Sequence, residues 1–312
     1  MSLYKRRTKK LPPHIDVYDM HYVPPKKREL AVGIVYFNAA KSKRMLMNYM
    51  YAVEKLKLAD IPYYTIEMYV TTPEIKDAIH VKTDFILFQK ERLCRVLETY
   101  IPKTFTKLLF IDCDIIFDNP NWYNELSHEL DKCEIVQPFT HAKWLDITYK
   151  KTYRTKKSIV LTQPPQKTPR QVFGKYHPGF AWAFQRDWYN RFGFYEYDVL
   201  GNSDSISCNI WFPTIKEPWH YPPYTKNTVE EYKLKLTLTP TICFLDGNIY
   251  HLFHGYRRKR KYSTRWKIFK SVKDIRDILT IDKNGLFALK DDTYKPLIKR
   301  YFNARDDDGT SD

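Results

Sequence analysis

The chain has 312 residues, 43% hydrophobic and 16% aromatic, enough apolar side chain for a full core and too much for a disordered polymer. Its 52 Lys and Arg against 36 Asp and Glu give a formal charge of +16, so anionic partners are expected: phosphates, nucleic acid, an acidic membrane or an acidic acceptor. No stretch approaches the ~18 uninterrupted apolar residues of a membrane span, and the basic, Pro-interrupted amino terminus lacks a signal peptide's apolar run, which leads us to expect a cytoplasmic protein.

In chain order, residues 1–29 combine Lys5, Arg6, Arg7, Lys9 and Lys10 with Pro12, Pro13, Pro24 and Pro25, the pattern of a solvated basic tail that could contact an anionic surface. Residues 30–37 read as a buried strand, 41–58 as a helix, 61–70 as a second strand and 88–100 as a helix stopping before Pro102. A third strand at 107–111 runs into Asp112-Cys-Asp114. This βαβαβ order predicts an α/β fold whose ligands bind beyond the carboxyl ends of the strands, where the two aspartates lie. A helix near 121–130 and a short strand at 134–138 follow, then a long loop over 143–175, an aromatic strand at 179–184, a helix at 203–212, strands within 241–254 and a helix at 264–279. The Asp-rich residues 303–312 read as a solvated acidic tail. A single domain is expected over 30–302, in two parts of about 30–140 and about 141–302. Five cysteines, an odd number without a Cys-x-x-Cys pair, are expected to be reduced thiols.

Two carboxylates at a strand end suit a hard divalent cation whose open coordination positions take phosphate oxygens. Asp112 and Asp114 are therefore candidate ligands for Mn²⁺ or Mg²⁺; the bland reading is solvated loop carboxylates or a helix cap. In Ile249-Tyr-His-Leu-Phe-His-Gly255, His251 and His254 would face opposite sides of a strand, so a two-histidine site is not expected. His254, beside Gly255 and the basic run 257–261, is the better third ligand. The corners His177-Pro-Gly-Phe-Ala-Trp182 and Leu200-Gly-Asn-Ser-Asp204 are expected to line a cleft, with His177 and Trp182 on its acceptor side. Asp204 is either a helix cap or a general base for an acceptor hydroxyl.

The ordered motifs Tyr36-Phe-Asn38, Phe88-Gln-Lys-Glu-Arg-Leu93, Phe110-Ile-Asp-Cys-Asp114, Val136-Gln-Pro-Phe139, His177-Pro-Gly-Phe-Ala-Trp182, Leu200-Gly-Asn-Ser-Asp204 and His251-Leu-Phe-His-Gly255 resemble those of metal-dependent nucleotide-sugar glycosyltransferases of the GT-A fold, particularly a group from protists, bacteria and large DNA viruses. The resemblance implies a Rossmann-like mixed sheet flanked by helices. It also implies a UDP- or GDP-sugar donor, held by the part at about 30–140, and a glycan, protein or lipid acceptor, held by the part at about 141–302. Tyr36, Phe37 and Asn38 would hold the nucleoside with Lys90 or Arg92 nearby, Asp114 would bind the metal, and Asp112 the ribose or the metal. His254 would complete the set, and Arg260 and Arg265 would face the phosphates. Two other classes compete. One is an Asp-x-Asp phosphohydrolase of the haloacid-dehalogenase type, which normally shows Gly-Thr where this chain has Ile115-Ile. The other is a basic nucleic-acid-binding protein, although no recognition motif is evident and no specific nucleic acid is expected.

Overall fold

The computed structural model describes residues 21–161, 175–212, 221–261 and 265–309. Seven residues without a charge, all buried, make β1 (Leu30–Tyr36) a strand for the middle of a sheet. After it, the Ser42 hydroxyl accepts the Met45 N–H at 3.1 Å and starts α1 (Lys43–Leu58). Then come β2 (Tyr63–Tyr69), β3 (Ile79–Lys82), α2 (Lys90–Tyr100) and β4 (Lys107–Asp112). Strands β2 and β4 flank β1, both parallel to it. Helix α2 lays Leu93, Cys94 and Leu97 on this sheet, and Gly33 makes the fit possible: a Cβ there would stand 2.7 Å from the Phe110 ring.

At Cys113 and Asp114 the chain leaves the first sheet and enters β5 (Ile115–Phe117), the edge of a second. Next are α3 (Trp122–Glu129), β6 (Ile135–Gln137), β7 (His141–Leu145), β8 (Thr152–Ser158), β9 (Tyr176–His177) and β10 (Ala181–Gln185). Helices α4 (Arg186–Arg191), α5 (Ser203–Trp211) and α6 (Lys226–Lys235) follow, then β11 (Ile242–Phe244) and β12 (Asn248–His251). A hairpin of β13 (Leu279–Ile281) and β14 (Phe287–Leu289) and helix α7 (Lys295–Asn303) complete the order. The first sheet has seven strands in the order β11-β6-β10-β4-β1-β2-β3, with β10 antiparallel to both neighbours. The second has five, β5-β12-β7-β8-β9. This is the expected α/β architecture with a mixed central sheet, and the two aspartates occupy the junction of its sheets. No described helix is long and apolar enough to cross a membrane.

Several expectations are corrected. The loop foreseen over 143–175 contains β7 and β8, paired antiparallel; its residues 162–174 lie outside the described set, as do Lys5–Lys10. Polar Lys and Thr at alternating positions hid a strand with one solvent-facing side. The helix foreseen over 264–279 is instead short 3₁₀ turns at Arg265–Phe269 and Ile275–Asp277, because Asp274 caps a new turn by accepting the Arg276 N–H. Residues 21–29 are not a detached tail: Tyr22 is buried edge-on against Trp122, and its hydroxyl accepts the Phe117 N–H at 3.0 Å. Nor are the described residues of the acidic end, 303–309, a detached solvated tail: Asp307 is buried. Asp308 accepts from the Ser42 hydroxyl and the Arg44 N–H at 2.5 and 3.0 Å, so it caps α1 from the far end of the chain. Finally, Cys133 and Cys243, expected as thiols, form a disulfide between Cα atoms 6.1 Å apart; Cys94, Cys113 and Cys208 are free and buried.

Candidate active site

A cleft of about 1130 Å³ opens where the carboxyl ends of β1 and β4 meet the second sheet. Register builds its centre. Strand β12 pairs antiparallel with β5, His251 opposite Ile115, and the Leu252 N–H donates to the Asp114 carbonyl at 2.8 Å. The chain stops being a strand after His251, so the alternation that would point His254 to the opposite face no longer applies. Both imidazoles turn to the same carboxylate: His254 Nε2 lies 2.8 Å and His251 Nε2 3.4 Å from Asp114 Oδ2, and the two nitrogens are 3.1 Å apart. All three side chains are buried. The expectation of a single histidine is thus overturned, and His251 is a functional candidate that the strand argument missed.

Burial pushes the His251 imidazole down to about 3, with Asp114 opposing and His254 and Arg260 reinforcing the shift. His254 is lowered as well, by burial and then by Arg260. Both rings are therefore neutral, and each offers an Nε2 lone pair when its proton sits on Nδ1. One carboxylate oxygen and two imidazole nitrogens aimed at one point suit a divalent cation, with Mn²⁺ favoured over the more strictly oxygen-seeking Mg²⁺.

Asp112 stands apart from this trio. Its carboxylate takes the Lys90 ammonium at 2.6 Å, and its N–H donates to the Phe180 carbonyl at 2.8 Å, tying the strand end to the Pro178-Gly-Phe180 corner. Burial lowers the Lys90 pKa, but Asp112, Glu91 and Asp204 outweigh it, so the net shift is upward and Lys90 stays charged. Glu91 beside it, not foreseen as a cleft residue, is pushed up to about 8 by burial, with Lys90 opposing.

Phe37 and Asn38 line the cleft, as do Arg260 and Arg265. Phe37 meets Phe88 edge-on at 5.1 Å. Asn38 shapes the corner, its Oδ1 accepting the Ser42 N–H at 2.8 Å. Three expected site residues lie elsewhere. Tyr36 is in the core, its hydroxyl donating to Glu74 at 2.8 Å, because strand alternation turns it away from Phe37. Arg92 faces Glu196 at 3.0 Å and covers the Phe287 ring, because two positions along α2 turn it about 200° away from Lys90. Trp182 is buried against Trp211 and donates to the Pro178 carbonyl at 2.7 Å, which braces the corner from behind. Of the basic run, the Arg257 and Arg258 side chains lie outside the described set.

His177 and Asp204 face each other across Gly179: a Cβ on that glycine would stand 2.5 Å from Asp204 Oδ2 and 3.6 Å from His177 Nε2. Asp204 sits in the first turn of α5, where the helix N-terminus favours its charge, and its Oδ1 accepts the Ser205 N–H at 2.6 Å. Burial, then Lys156, lowers the His177 pKa. Gln137 holds this region together, donating to the His177 carbonyl at 3.0 Å and accepting from the Ser158 hydroxyl at 2.6 Å. The wall beyond carries Trp144, Arg154 and Lys156, and Asp307 and Arg305 close the opposite side. None of these five was foreseen; they come from a segment read as loop and a segment read as tail.

No family model matches the chain, and no curated protein does. Among solved structures it is similar to a Drosophila β1,4-galactosyltransferase 7 mutant in complex with manganese, UDP-Gal and xylobiose (12% identity over 88% of this chain and 99% of that one, TM-score 0.40). It is also similar to the Mycobacterium tuberculosis glucosyl-3-phosphoglycerate synthase with Mn²⁺, UDP and phosphoglyceric acid (11% identity, 80% and 83%, TM-score 0.41). A third is GalNAc-T7 with UDP, GalNAc and Mn²⁺ (12%, 72% and 43%, TM-score 0.40). The chain spans 58% of another structure of the Drosophila catalytic domain, bound to xylobiose, at 13% identity and a TM-score of 0.32.

Proposed function

We propose that the protein is a divalent-metal-dependent glycosyltransferase of the GT-A type, moving a sugar from a nucleoside diphosphate donor to a hydroxyl acceptor. The observation that carries this reading is the convergence of Asp114 Oδ2, His251 Nε2 and His254 Nε2 in a cleft that also holds Asp112, Lys90 and Arg260. Asp114, His251 and His254 would hold the cation. When bound, it neutralises the donor diphosphate and the charge that develops on the leaving nucleoside diphosphate.

The chain's own groups supply the rest. Lys90, Arg260 and Arg265 add fixed positive charge around the phosphates. The Phe37 and Phe88 rings offer an apolar wall for the nucleoside, and the Asp112 carboxylate, oriented by Lys90, is placed to accept from a ribose hydroxyl. With Oδ1 engaged by the Ser205 N–H, Asp204 presents Oδ2 to the cleft as the acceptor of the incoming hydroxyl's proton. The hydroxyl oxygen of the acceptor, losing its proton to Asp204, bonds to the anomeric carbon as the bond to the diphosphate breaks. A phosphohydrolase would need Asp112 and Asp114 to act at one point, whereas here Lys90 takes one and two histidines take the other.

The test is calorimetric titration of UDP and GDP with and without Mn²⁺. Metal-dependent binding that is lost in Asp114→Asn is expected; nucleotide binding indifferent to both metal and Asp114 would end this reading.

A further inference from the structure

The wall of the cleft built from the second sheet carries charge that the donor does not explain. Strands β7, β8 and β9 contain Lys143, Arg154, Lys156 and Lys157 and no Asp or Glu. Along β8 the period of two puts Arg154, Lys156 and Ser158 on one face. Register places Arg154 opposite Trp144 and Lys156 opposite Ala142. The Arg154 guanidinium lies over the Trp144 ring, 5.1 Å from its centroid, which limits the directions it can take; Lys156 Nζ donates to the Tyr176 carbonyl at 3.2 Å across a small neighbour. Both side chains line the cleft.

Their place along the sheet separates them from the diphosphate. Strand β12 ends at His251, β7 comes next, β8 next again and β9 last, bringing His177 and then Gly179 against Asp204. Neighbouring strands are about 4.8 Å apart, so Arg154 and Lys156 stand about two spacings from the metal ligands, toward the proposed base. The phosphate side already has Lys90, Arg260, Lys261 and Arg265.

We propose that the acceptor is an acidic carbohydrate, its carboxylate, sulfate or phosphate held by Arg154 and Lys156 while its reacting hydroxyl faces Asp204. This rests on the glycosyltransferase reading and names the substrate class of that same site. A planar guanidinium braced on a tryptophan suits a two-oxygen anion, and a nearby ammonium adds a point charge.

The experiment titrates the full chain, saturated with UDP and MnCl₂ so that the phosphate-side cations are covered, with hyaluronan tetrasaccharide, chondroitin 4-sulfate tetrasaccharide, glucose 6-phosphate, neutral chitotetraose and an oligothymidylate. At least one acidic sugar is expected to bind about tenfold or more tightly than chitotetraose. That preference should weaken with added salt and vanish in Arg154→Glu/Lys156→Glu, while Arg154→Lys retains part of it. The tightest acidic probe identifies the anion. The proposal is overturned if chitotetraose binds as well as every acidic sugar, if the charge-reversed variant keeps the preference, or if oligothymidylate matches the best sugar. Failure of UDP with Mn²⁺ to bind at all removes the functional reading and this inference together; binding without discrimination removes the inference alone.

Discussion

Replacing Gly179 with alanine tests the proposed base without substituting it. The new methyl group would stand 2.5 Å from Asp204 Oδ2, about 1 Å inside ordinary contact. Gly179 does not adopt the left-handed backbone, so alanine is tolerated there and the side chain must yield instead. The yielding atom is the end of the Asp204 side chain, whose other oxygen is held by the Ser205 N–H at 2.6 Å. Turning the carboxylate away strains that hydrogen bond, a loss of about 1 kcal/mol in stability. A displacement of about 1 Å in a catalytic group lowers the rate on the order of 100-fold, or about 2.7 kcal/mol of barrier. Transfer rate, affinity for UDP with Mn²⁺ and urea denaturation should be measured together. The expected outcome is kcat down on the order of 100-fold, nucleotide affinity unchanged within about twofold, and only a small stability loss. Adding Asp204→Asn to Gly179→Ala should lower the rate little further, since both act on one group. A Gly179→Ala enzyme that turns over within about threefold of the wild type would refute the role of Asp204, because the geometry leaves its carboxylate nowhere to stay.

Other outcomes follow from the same geometry. Saturating Mn²⁺ should raise the unfolding free energy by about 2.7 kcal/mol at a hundredfold excess over its dissociation constant, and Asp114→Ala, His251→Ala or His254→Ala should each remove most of that gain in a thermal-shift titration. In metal-free buffer, stability should fall as pH drops below about 6.5: the unfolded chain protonates the His251 imidazole there, whereas the folded chain does not until about 3, so the contribution is full above 6.5 and lost progressively toward 3. Urea midpoints across that window, with His251→Gln flattening the slope, check the sign. Asp308→Ala should destabilise the protein by about 1 kcal/mol by uncapping α1, seen as a lower urea midpoint. Reducing Cys133–Cys243, which closes 110 residues of chain, should cost about 4–5 kcal/mol in the loop-entropy picture; an unchanged denaturation curve under dithiothreitol would show that the disulfide does not form in solution.

Much of the first sheet was legible because its signals are local. Leu30–Tyr36 and Leu108–Ile111 are apolar runs too continuous for anything but buried strands, and Pro102 marks the end of α2. Asp114 was legible for the same reason: a carboxylate at the end of such a strand has few structural uses. The second sheet was not. Strand β8, Thr-Tyr-Arg-Thr-Lys-Lys-Ser, has the composition of a loop and is a strand because β7 supplies its partner, with one face toward solvent and the other, Arg154 and Lys156, toward the cleft. His251 was misjudged by carrying strand alternation on to His254, three residues past the point where the strand ends, and Arg92 by the place beside the nucleoside that the resemblance gave to Lys90 or Arg92, although two positions along α2 turn it about 200° away from Lys90.

The sequence by itself determined the α/β class, the strand that delivers Asp112 and Asp114, and the cationic balance of the chain, since each depends on residues adjacent along the backbone. Tertiary structure decided the rest: that His251 and His254 meet at Asp114, that Lys90 takes Asp112, and that Arg154 and Lys156 face the cleft. It also decided that Asp308 caps α1 instead of trailing into solvent. These are contacts between residues 22 to 266 positions apart, set by strand register and by where each strand stops, and neither is written in any local run of side chains.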